Sequence, residues 1–377
     1  MKIALALSGG GHRAAAFHLG VLKYLAEQQL LEKVSDISST SGGSLLVAQL
    51  FHSSKSVVHD TVNSQSLAWP DSQTFLTHSL PLCKKQITQD SLENSFIKRM
   101  LSPKNWMNMG HRANLMARSL KKLWQISAPM KHLADSPNWV INGTTNLSGG
   151  RWFVEKRDQK CRMGSKNLGV IDSADFPIAD AIAISAAYPA IIGPYRLKFK
   201  DLDVYLSDGG LYDNLGLEPL FDIEQRRLNP DIEADILLVS DAGMSIQHKH
   251  LAPFWRPLLR TLRLIDVINH QVRSLRLRTL LPFIAQYPEK GRYASIGTDH
   301  SDTAHLPIEF KNYSFLSQQK VQQAKDTATS LACLSEDQFD NLVRHGYETA
   351  LVQFSQLSPH GNLGSLELND THGLTGK

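Results

Sequence analysis

Twice in this sequence, a short apolar segment leads into a turn of small residues and then into a second apolar segment. The first such unit is "KIALALSGGGHRAAAFHLGVLKYL" from residue 2, and the second is "VSDISSTSGGSLLVAQLF" from residue 34. Each pattern is typical of a buried strand, a tight turn and a helix. Two units of this kind favour an α/β fold with a largely parallel sheet, because parallel strands need crossover connections. Both turns then lie at the carboxyl edge of the sheet, where ligand sites form.

The rest of the chain supplies further periodic segments. Helices are predicted near 14–29, 44–52, 112–126, 178–187, 257–281, 315–331 and 336–355. The segments "WVINGTTN" and "RWFVEK" predict a hairpin around residues 148–150, and "DVYLSDGG" and "DILLVSDAG" predict two further strands. Residues 53–92 are polar and are expected to be irregular, and the Gly-, Ser- and Asn-rich tail 356–377 is expected to be disordered.

These elements predict one catalytic domain over residues 1–355. Its core motifs occupy 1–245, followed by helices in 257–355, with a basic helical insertion at about 94–134. A chain of 377 residues is long enough for a sizeable core. Three scattered cysteines predict no disulfide framework and favour a reducing compartment. The apolar runs are too short for a membrane span, so we expect a cytoplasmic protein with peripheral membrane contact.

Positive charge is concentrated in two segments of the chain. Residues 94–134 contain eight Lys or Arg and no acidic residue, and residues 249–278 contain seven with one acid, Asp266. The helix at 112–126 has an apolar side and a basic side: Met116, Leu120, Leu123 and Trp124 against Arg118, Lys121 and Lys122. We expect segment 94–134 to be a lid or a membrane contact, and helix 257–281 to cover the sheet. Nucleic acid is not an expected partner, since no binding motif accompanies the charge.

The first turn contains three successive glycines, Gly9, Gly10 and Gly11, for which three interpretations compete. The glycines can serve a tight strand–helix connection alone. They also match a dinucleotide loop, Gly9-x-Gly11-x-x-Ala14, but the second strand ends in serines rather than in the acidic residue that holds ribose. The third interpretation is an oxyanion hole, because glycine amides at a helix N-terminus present several donors, and Arg13 adds positive charge there.

The second turn contains a candidate nucleophile. Ser41 has Gly43 two residues after it and Ser39 two residues before it, close to the G-x-S-x-G pattern of a nucleophile elbow. A polar turn of Ser, Thr and Gly is the competing interpretation. As a nucleophile, Ser41 needs a base from elsewhere in the chain.

Candidate bases are histidines and aspartates. The histidines in suitable chain order are His248, His250, His270, His300 and His305, and none ends a predicted strand. Asp208, in "LSDGGLYDN", ends a strand before two glycines and is expected to face the same sheet edge; Asp241, in "VSDAG", is its rival. Asp213 is expected to cap the turn with Asn214. The pair His248 and His250 is expected to belong to a solvated loop rather than a metal site.

In this order and spacing the motifs resemble those of the patatin-like phospholipase family. "SGGGHR" resembles its glycine-rich oxyanion loop, "STSGGS" its nucleophile elbow and "DGG" its catalytic aspartate motif; "ISAAYPAIIGP" resembles a segment between the last two. The resemblance covers about residues 1–245 and implies a three-layer α/β/α sandwich with a central, mostly parallel sheet. It also implies a Ser-Asp dyad of Ser41 and Asp208 that works without histidine. The oxyanion hole it implies has Gly10 and Gly11 as donors, with Gly9 and Arg13 supporting the loop, and Gly42 is a further candidate donor.

The resemblance further implies a lipid acyl hydrolase of the phospholipase A or lysophospholipase type. It would be a serine esterase acting on carboxylic esters, with a phospholipid or other acyl-ester lipid as substrate and without a cofactor or metal. Two alternatives remain at this point: a nucleotide-binding, Rossmann-like protein that uses the loop from Gly9 to Ala14, and a catalytically silent lipid-binding protein. The sequence leaves open which ester bond is cut.

Overall fold

Five parallel strands form the part of the sheet that contains both turns. The computed structural model describes residues 1–54, 66–189, 191–243, 252, 255–302, 306, 310 and 312–355. In spatial order the five strands are β12 (Gly291–Ser295), β11 (Ile236–Asp241), β1 (Ile3–Leu7), β2 (Val34–Thr40) and β3 (Asn138–Thr145). Leu7 pairs with Ser39 on one side and with Ser240 on the other, so the ends of β1, β2 and β11 are aligned.

An antiparallel extension continues the sheet beyond β3. It contains β4 (Arg151–Arg157), β5 (Lys160–Ser165) and β6 (Gly169–Asp172) in sequence. The pair β7 (Tyr195–Phe199) and β8 (Leu202–Asp208) joins it through antiparallel pairing of β8 with the last residues of β3. A separate two-stranded ribbon consists of β9 (Phe221–Asp222) and β10 (Arg227–Leu228). The hairpin of β3 and β4 confirms the prediction around residues 148–150.

Helices cover both faces of the parallel strands. They are α1 (Gly11–Glu27), α2 (Gly42–Ser53), α3 (Ser72–Thr74), α4 (Leu80–Thr88), α5 (Leu92–Leu101), α6 (Ala113–Leu123), α7 (Ile178–Ser185), α8 (Gly210–Asp213), α9 (Pro257–Gln286), α10 (Gln318–Asp326) and α11 (Glu336–Ser355). Single turns of 3₁₀ or π geometry occupy Leu31–Lys33, Phe75–Ser79 and Met130–His132, and a longer 3₁₀ segment occupies Pro103–His111.

Alternate side chains of β1 point to opposite faces of the sheet and belong to two different buried clusters. Ile3, Leu5 and Leu7 pack with α1, α2 and α11, whereas Ala4 and Ala6 pack with the segment from Leu215 to Phe221 and the end of α9. This arrangement confirms the predicted α/β sandwich with layers on both sides of the sheet. Helix α11 lies directly against α1, since a β-carbon on Gly20 would lie 1.9 Å from the Val343 carbonyl oxygen.

Residues 53–92 correct the sequence-based expectation of an irregular segment. From Ser72 onward this segment contains α3, a π turn and α4. Its buried side chains include Phe75, Cys83 and Ile87. They are so widely spaced among polar residues that the helical period is hard to see in the sequence. The predicted disorder of 356–377 and the histidines at 248, 250 and 305 lie outside the described residues.

Each of the two basic segments has a part that packs on the core and a part with exposed apolar side chains, such as Trp106 in the first. The end of α9 packs against β1, as expected for a helix that covers the sheet. On α6 and just after it, Met116, Leu120 and Trp124 are buried in the main core, so this apolar side cannot contact a membrane. On α9, by contrast, Leu259, Leu264, Ile268 and Leu275 are exposed. An amphipathic pattern predicts that one side of a helix is apolar, but it does not predict what covers that side. No helix in the described part of the chain has the length and hydropathy needed to cross a membrane.

Candidate active site at the edge of the parallel strands

Ser41 lies in a sharp turn between β2 and α2. Its backbone dihedral angles are φ 50° and ψ −113°, a conformation that residues other than glycine rarely adopt. The neighbouring turn residues must be small, because a β-carbon on Gly43 would lie 2.5 Å from the Leu7 carbonyl oxygen. Such a strained turn persists only where its surroundings fix it, and such turns cluster at functional sites.

Ser39 is the residue that departs from the elbow pattern, and the structure gives it a partner on each side. Trp139 donates from its indole Nε1 to the Ser39 hydroxyl at 2.8 Å, and the Ser44 hydroxyl lies 2.9 Å away. All three side chains are fully buried. The hydroxyl of Ser39 is therefore accommodated at a position where the pattern has a glycine.

The glycine-rich loop lies directly against this turn. Gly10 has φ 145° and Gly11 has φ 61°, so both adopt backbone conformations that favour glycine. Gly11 and Gly42 are the first residues of α1 and α2, and the first amides of a helix have no acceptor within it. Gly9 differs, because its amide donates to the Asn214 carbonyl at 3.0 Å. Gly9 thus supports the loop, while Gly10, Gly11 and Gly42 are the candidate donors to an anion.

Arg13 is buried and fixes the loop from behind. Its guanidinium donates to the carbonyl oxygens of Thr327 and Ala242, both at 2.9 Å. Burial lowers the pKa of Arg13 to about 10, and the charge of Asp241 opposes that shift. Arg13 therefore acts as a support between the loop, the end of β11 and the chain before α11.

The chain between α10 and α11 packs on the same loop, which sequence reasoning missed. The His12 amide donates to the Ser330 carbonyl at 3.0 Å, and the His12 ring nitrogen Nδ1 lies 2.8 Å from the Ala332 carbonyl. A β-carbon on Gly11 would lie 2.3 Å from that Ser330 oxygen. No motif in "DTATSLACL" points to this contact, since this segment contributes only main-chain carbonyls to it.

Asp208 lies at the end of β8, a strand that runs antiparallel to the strands of the parallel part of the sheet. It lies opposite Gly143 of β3. Its carboxylate accepts the Gly210 amide at 2.7 Å. Burial raises the pKa of Asp208 to about 6, and the hydrogen-bonding partners Gly210 and the Ser41 side chain oppose the shift. The structure thus brings the predicted pair Ser41 and Asp208 together.

The other candidate aspartates have different surroundings. The carboxylate of Asp241 accepts the Arg273 guanidinium and the Tyr293 hydroxyl, each at 2.6 Å, so it belongs to a buried ion pair. Asp213 caps its turn as expected, accepting amides from Leu217 and Glu218 at 2.7 and 2.9 Å.

In the described part of the chain, histidines take no part in the pair. His18 lies on α1, and its two ring nitrogens are bonded to the Ser240 hydroxyl at 2.6 Å and the Ser8 carbonyl at 2.9 Å. Burial lowers the pKa of His18 to about 4, so the ring is neutral. Among the described residues no group of His, Cys, Asp and Glu has the arrangement of a metal site.

The segment after α7 lies beside Asp208. The amide of Asp208 donates to the Ala187 carbonyl at 3.0 Å, and the amide of Gly209 donates to the Ser185 carbonyl at 3.2 Å. Two residues of "ISAAYPAIIGP", Ser185 and Ala187, therefore contact the Asp208 turn, a role that the sequence did not indicate.

The sheet, the serine turn and the facing glycine loop define an α/β protein with a candidate site at the carboxyl edge of its parallel strands. The sequence profile of the patatin-like phospholipase family matches residues 5–221, more than half of the chain, and the protein belongs to that family.

The solved structures that this chain resembles have little sequence in common with it. Human GIVD cytosolic phospholipase A2 is 13% identical with a TM-score of 0.52, and the match covers 94% of this chain and 59% of the human one. That human enzyme in complex with methyl gamma-linolenyl fluorophosphonate and terbium chloride gives 14% identity and a TM-score of 0.49, with 94% and 58% covered. VipD from Legionella pneumophila is 15% identical with a TM-score of 0.38, and the match covers 94% of this chain and 67% of VipD. This chain thus spans about three fifths of the human enzyme. No curated protein gives a significant sequence match.

Proposed function

We propose that this protein is a serine esterase of the phospholipase A or lysophospholipase type, with Ser41 as nucleophile and Asp208 as general base. The observation that carries the proposal is the pairing of a strained serine turn with a buried carboxyl whose pKa is about 6. A carboxylate of ordinary acidity is a poor base near neutral pH. One with a raised pKa matches the task better.

The proposed reaction has two stages. Asp208 accepts the Ser41 proton while Oγ attacks the ester carbonyl, and the resulting oxyanion is stabilised by the amides of Gly10, Gly11 and Gly42. The tetrahedral intermediate collapses, the alcohol leaves with the proton from Asp208, and the acyl group stays on Ser41. Water then attacks the acyl-enzyme while Asp208 accepts its proton. When the second tetrahedral intermediate collapses, the fatty acid is released and Asp208 returns that proton to Ser41 Oγ, which restores both residues.

The contacts of Asp241 favour Asp208 as the base. Asp241 already accepts two strong donors, from Arg273 and Tyr293, and a base needs a free acceptor near the nucleophile. The nucleotide-binding alternative has less support, because a main-chain oxygen from Ser330 lies against Gly11 where a pyrophosphate would approach. A catalytically silent lipid-binding protein would have the same site, and only a measurement of activity distinguishes it from an esterase.

We also propose peripheral contact with a membrane around this site. Residues 186–189 contact Asp208, and the Tyr188 hydroxyl donates to Asp266 on α9 at 3.1 Å. The Pro194 carbonyl accepts the Ala113 amide at the start of α6, directly after the 3₁₀ segment Pro103–His111. Exposed side chains in and next to these segments are Trp106 (65%), Met107 (94%), Ile191, Trp255 (67%), Leu264 and Ile268. Aromatic and aliphatic residues flanked by Lys and Arg suit a lipid interface.

Hydrolysis of a lipid panel tests the proposal. Phospholipids labelled at either acyl chain, a lysophospholipid, an acylglycerol and a short-chain ester would be assayed with the wild type and with Ser41→Ala. Release of fatty acid by the wild type and its loss in Ser41→Ala support the proposal and identify the bond that is cut. Equal release by both proteins, or none from any ester by the wild type, contradicts it.

A further inference from the structure

Ser185 contacts the main chain of both proposed catalytic turns. It is the last residue of α7 and is fully buried. Its hydroxyl oxygen accepts the Ser41 amide at 2.9 Å, and its carbonyl accepts the amide of Gly209, the residue after Asp208, at 3.2 Å. One residue therefore links the nucleophile turn to the base turn.

The Ser185 hydroxyl also ends a chain of buried polar groups behind the nucleophile. Its Oγ lies 2.9 Å from the Ser44 hydroxyl, which lies 2.9 Å from the Ser39 hydroxyl, which in turn accepts the Trp139 indole. All four of these side chains are fully buried. Hydrogen-bond networks in such surroundings are rigid when their members are satisfied. Trp139 on β3 fixes one end of this hydrogen-bond network.

The contact with Ser41 is the part of this network that matters for catalysis. A backbone with φ 50° at a serine is stable only where neighbouring groups hold it. The Ser185 hydroxyl is the acceptor for the amide of that same residue, so it restrains the rotation that would turn the Ser41 side chain away from Asp208. The bond also occupies the Ser41 amide, which leaves the oxyanion to Gly10, Gly11 and Gly42.

We propose that Ser185 is a positioning residue whose hydroxyl holds the Ser41 turn in its reactive conformation. This inference rests on the proposed function of Ser41. Ser185 does not touch substrate in this account, so its loss should slow the attack by Ser41 without weakening substrate binding. A difference of this kind appears in kcat and not in KM when substrate binding is at equilibrium.

The test uses three variants and one control in the full chain. Ser185→Ala removes the hydroxyl, Ser185→Cys keeps a similar volume with a much weaker acceptor, and Ser44→Ala keeps Ser185 but removes its buried partner. The control is Ser207→Ala, since Ser207 is also buried beside Asp208 but bonds to Asn146 at 2.7 Å. For each protein, kcat, KM, the melting temperature and the rate constant for fluorophosphonate labelling of Ser41 are measured.

The two Ser185 variants are expected to lower kcat and the labelling rate constant together by roughly 10- to 100-fold, with KM within about twofold. Ser44→Ala should give a smaller loss in the same two rates, and Ser207→Ala should stay near the wild type. Wild-type rates in Ser185→Cys, or in Ser185→Ala with only the melting temperature lowered, would overturn the inference. Unchanged rates in Ser44→Ala would overturn the network. Failure of the wild type to label at Ser41 would instead reject the proposed function itself.

Discussion

A β-carbon on Gly42 would lie 2.3 Å from the carbonyl oxygen of Gly11, so the serine turn and the glycine loop touch backbone to backbone. The two residues begin neighbouring helices that follow neighbouring strands, and each has an amide without an intrahelical acceptor. Their contact sets the distance between the proposed nucleophile and the proposed oxyanion donors. A methyl group added at Gly42 is therefore expected to change the distance between the proposed nucleophile and the proposed oxyanion donors.

Gly42→Ala should therefore lower kcat/KM by roughly 10²-fold or more, because the added methyl group must push the loop away from the turn. Gly110→Ala is a matched control, since a β-carbon there meets nothing within 4 Å. Both proteins are compared by kinetics and by circular dichroism. Wild-type kinetics in folded Gly42→Ala would mean that the loop does not supply the oxyanion donors.

The pH dependence should follow Asp208. Its pKa of about 6 predicts that kcat/KM is constant above neutral pH and falls about tenfold per unit below pH 6, as the base becomes protonated. The profile is measured with a neutral ester, whose own charge does not change over this range. A profile that falls with a midpoint near 4 would contradict burial as the cause of the raised pKa.

Asp208→Asn should remove activity and gain stability at neutral pH. The folded protein holds the Asp208 proton up to about pH 6, whereas the unfolded chain releases it near the model value of 3.8. Between these values the folded state binds more protons, so wild-type stability falls as pH rises. Asn carries no charge, and the advantage of Asp208→Asn should grow from pH 4 to 6.5 by roughly 1–3 kcal/mol and then level off.

Chemical denaturation at several pH values measures this difference. Asp203→Asn is the control of opposite sign, because the exposed Asp203 has its pKa lowered by Arg196, so its loss should remove a little stability as pH rises. If Asp208→Asn is less stable than the wild type at every pH, the buried charged carboxylate of Asp208 does not lower the stability of the folded protein.

Membrane contact should depend on the exposed apolar residues rather than on the basic side of α6. The double variant Trp106→Ser and Met107→Ser is expected to weaken sedimentation with anionic vesicles by roughly fivefold or more. The control is Val170→Ser on β6, where the side chain is also exposed. Binding by the wild type should weaken with salt. Equal binding of the double variant and the wild type would exclude this surface.

Local pattern was enough to predict the elements at the parallel edge. The strand before Gly9, the strand before Ser41 and the helices after them follow from apolar runs and glycines within about 25 residues. The order of the motifs then brought Ser41 and Asp208 into one hypothesis. These features are predictable because their signals are local, or because a family shares them in a fixed order.

The rest of the site depends on contacts that leave no local signal. Ser185 meets Ser41 across 144 residues of sequence, and Thr327 meets Arg13 across 314. The support from Ser330 uses a main-chain carbonyl, for which any residue type serves. The reversed direction of β8 was also hidden, because a strand that ends in Asp208 reads the same whether it runs parallel or antiparallel to β3.

The most direct test of the account is the site of covalent labelling by a serine-directed fluorophosphonate. The labelled protein is digested and the modified peptide is sequenced by mass spectrometry, with Ser41→Ala and Asp208→Asn treated in parallel. We expect a single adduct on Ser41 in the wild type, no adduct in Ser41→Ala, and labelling slowed by roughly 10²-fold or more in Asp208→Asn. An adduct on another serine, or labelling of Ser41→Ala at the wild-type rate, would contradict the assignment of Ser41 as the nucleophile.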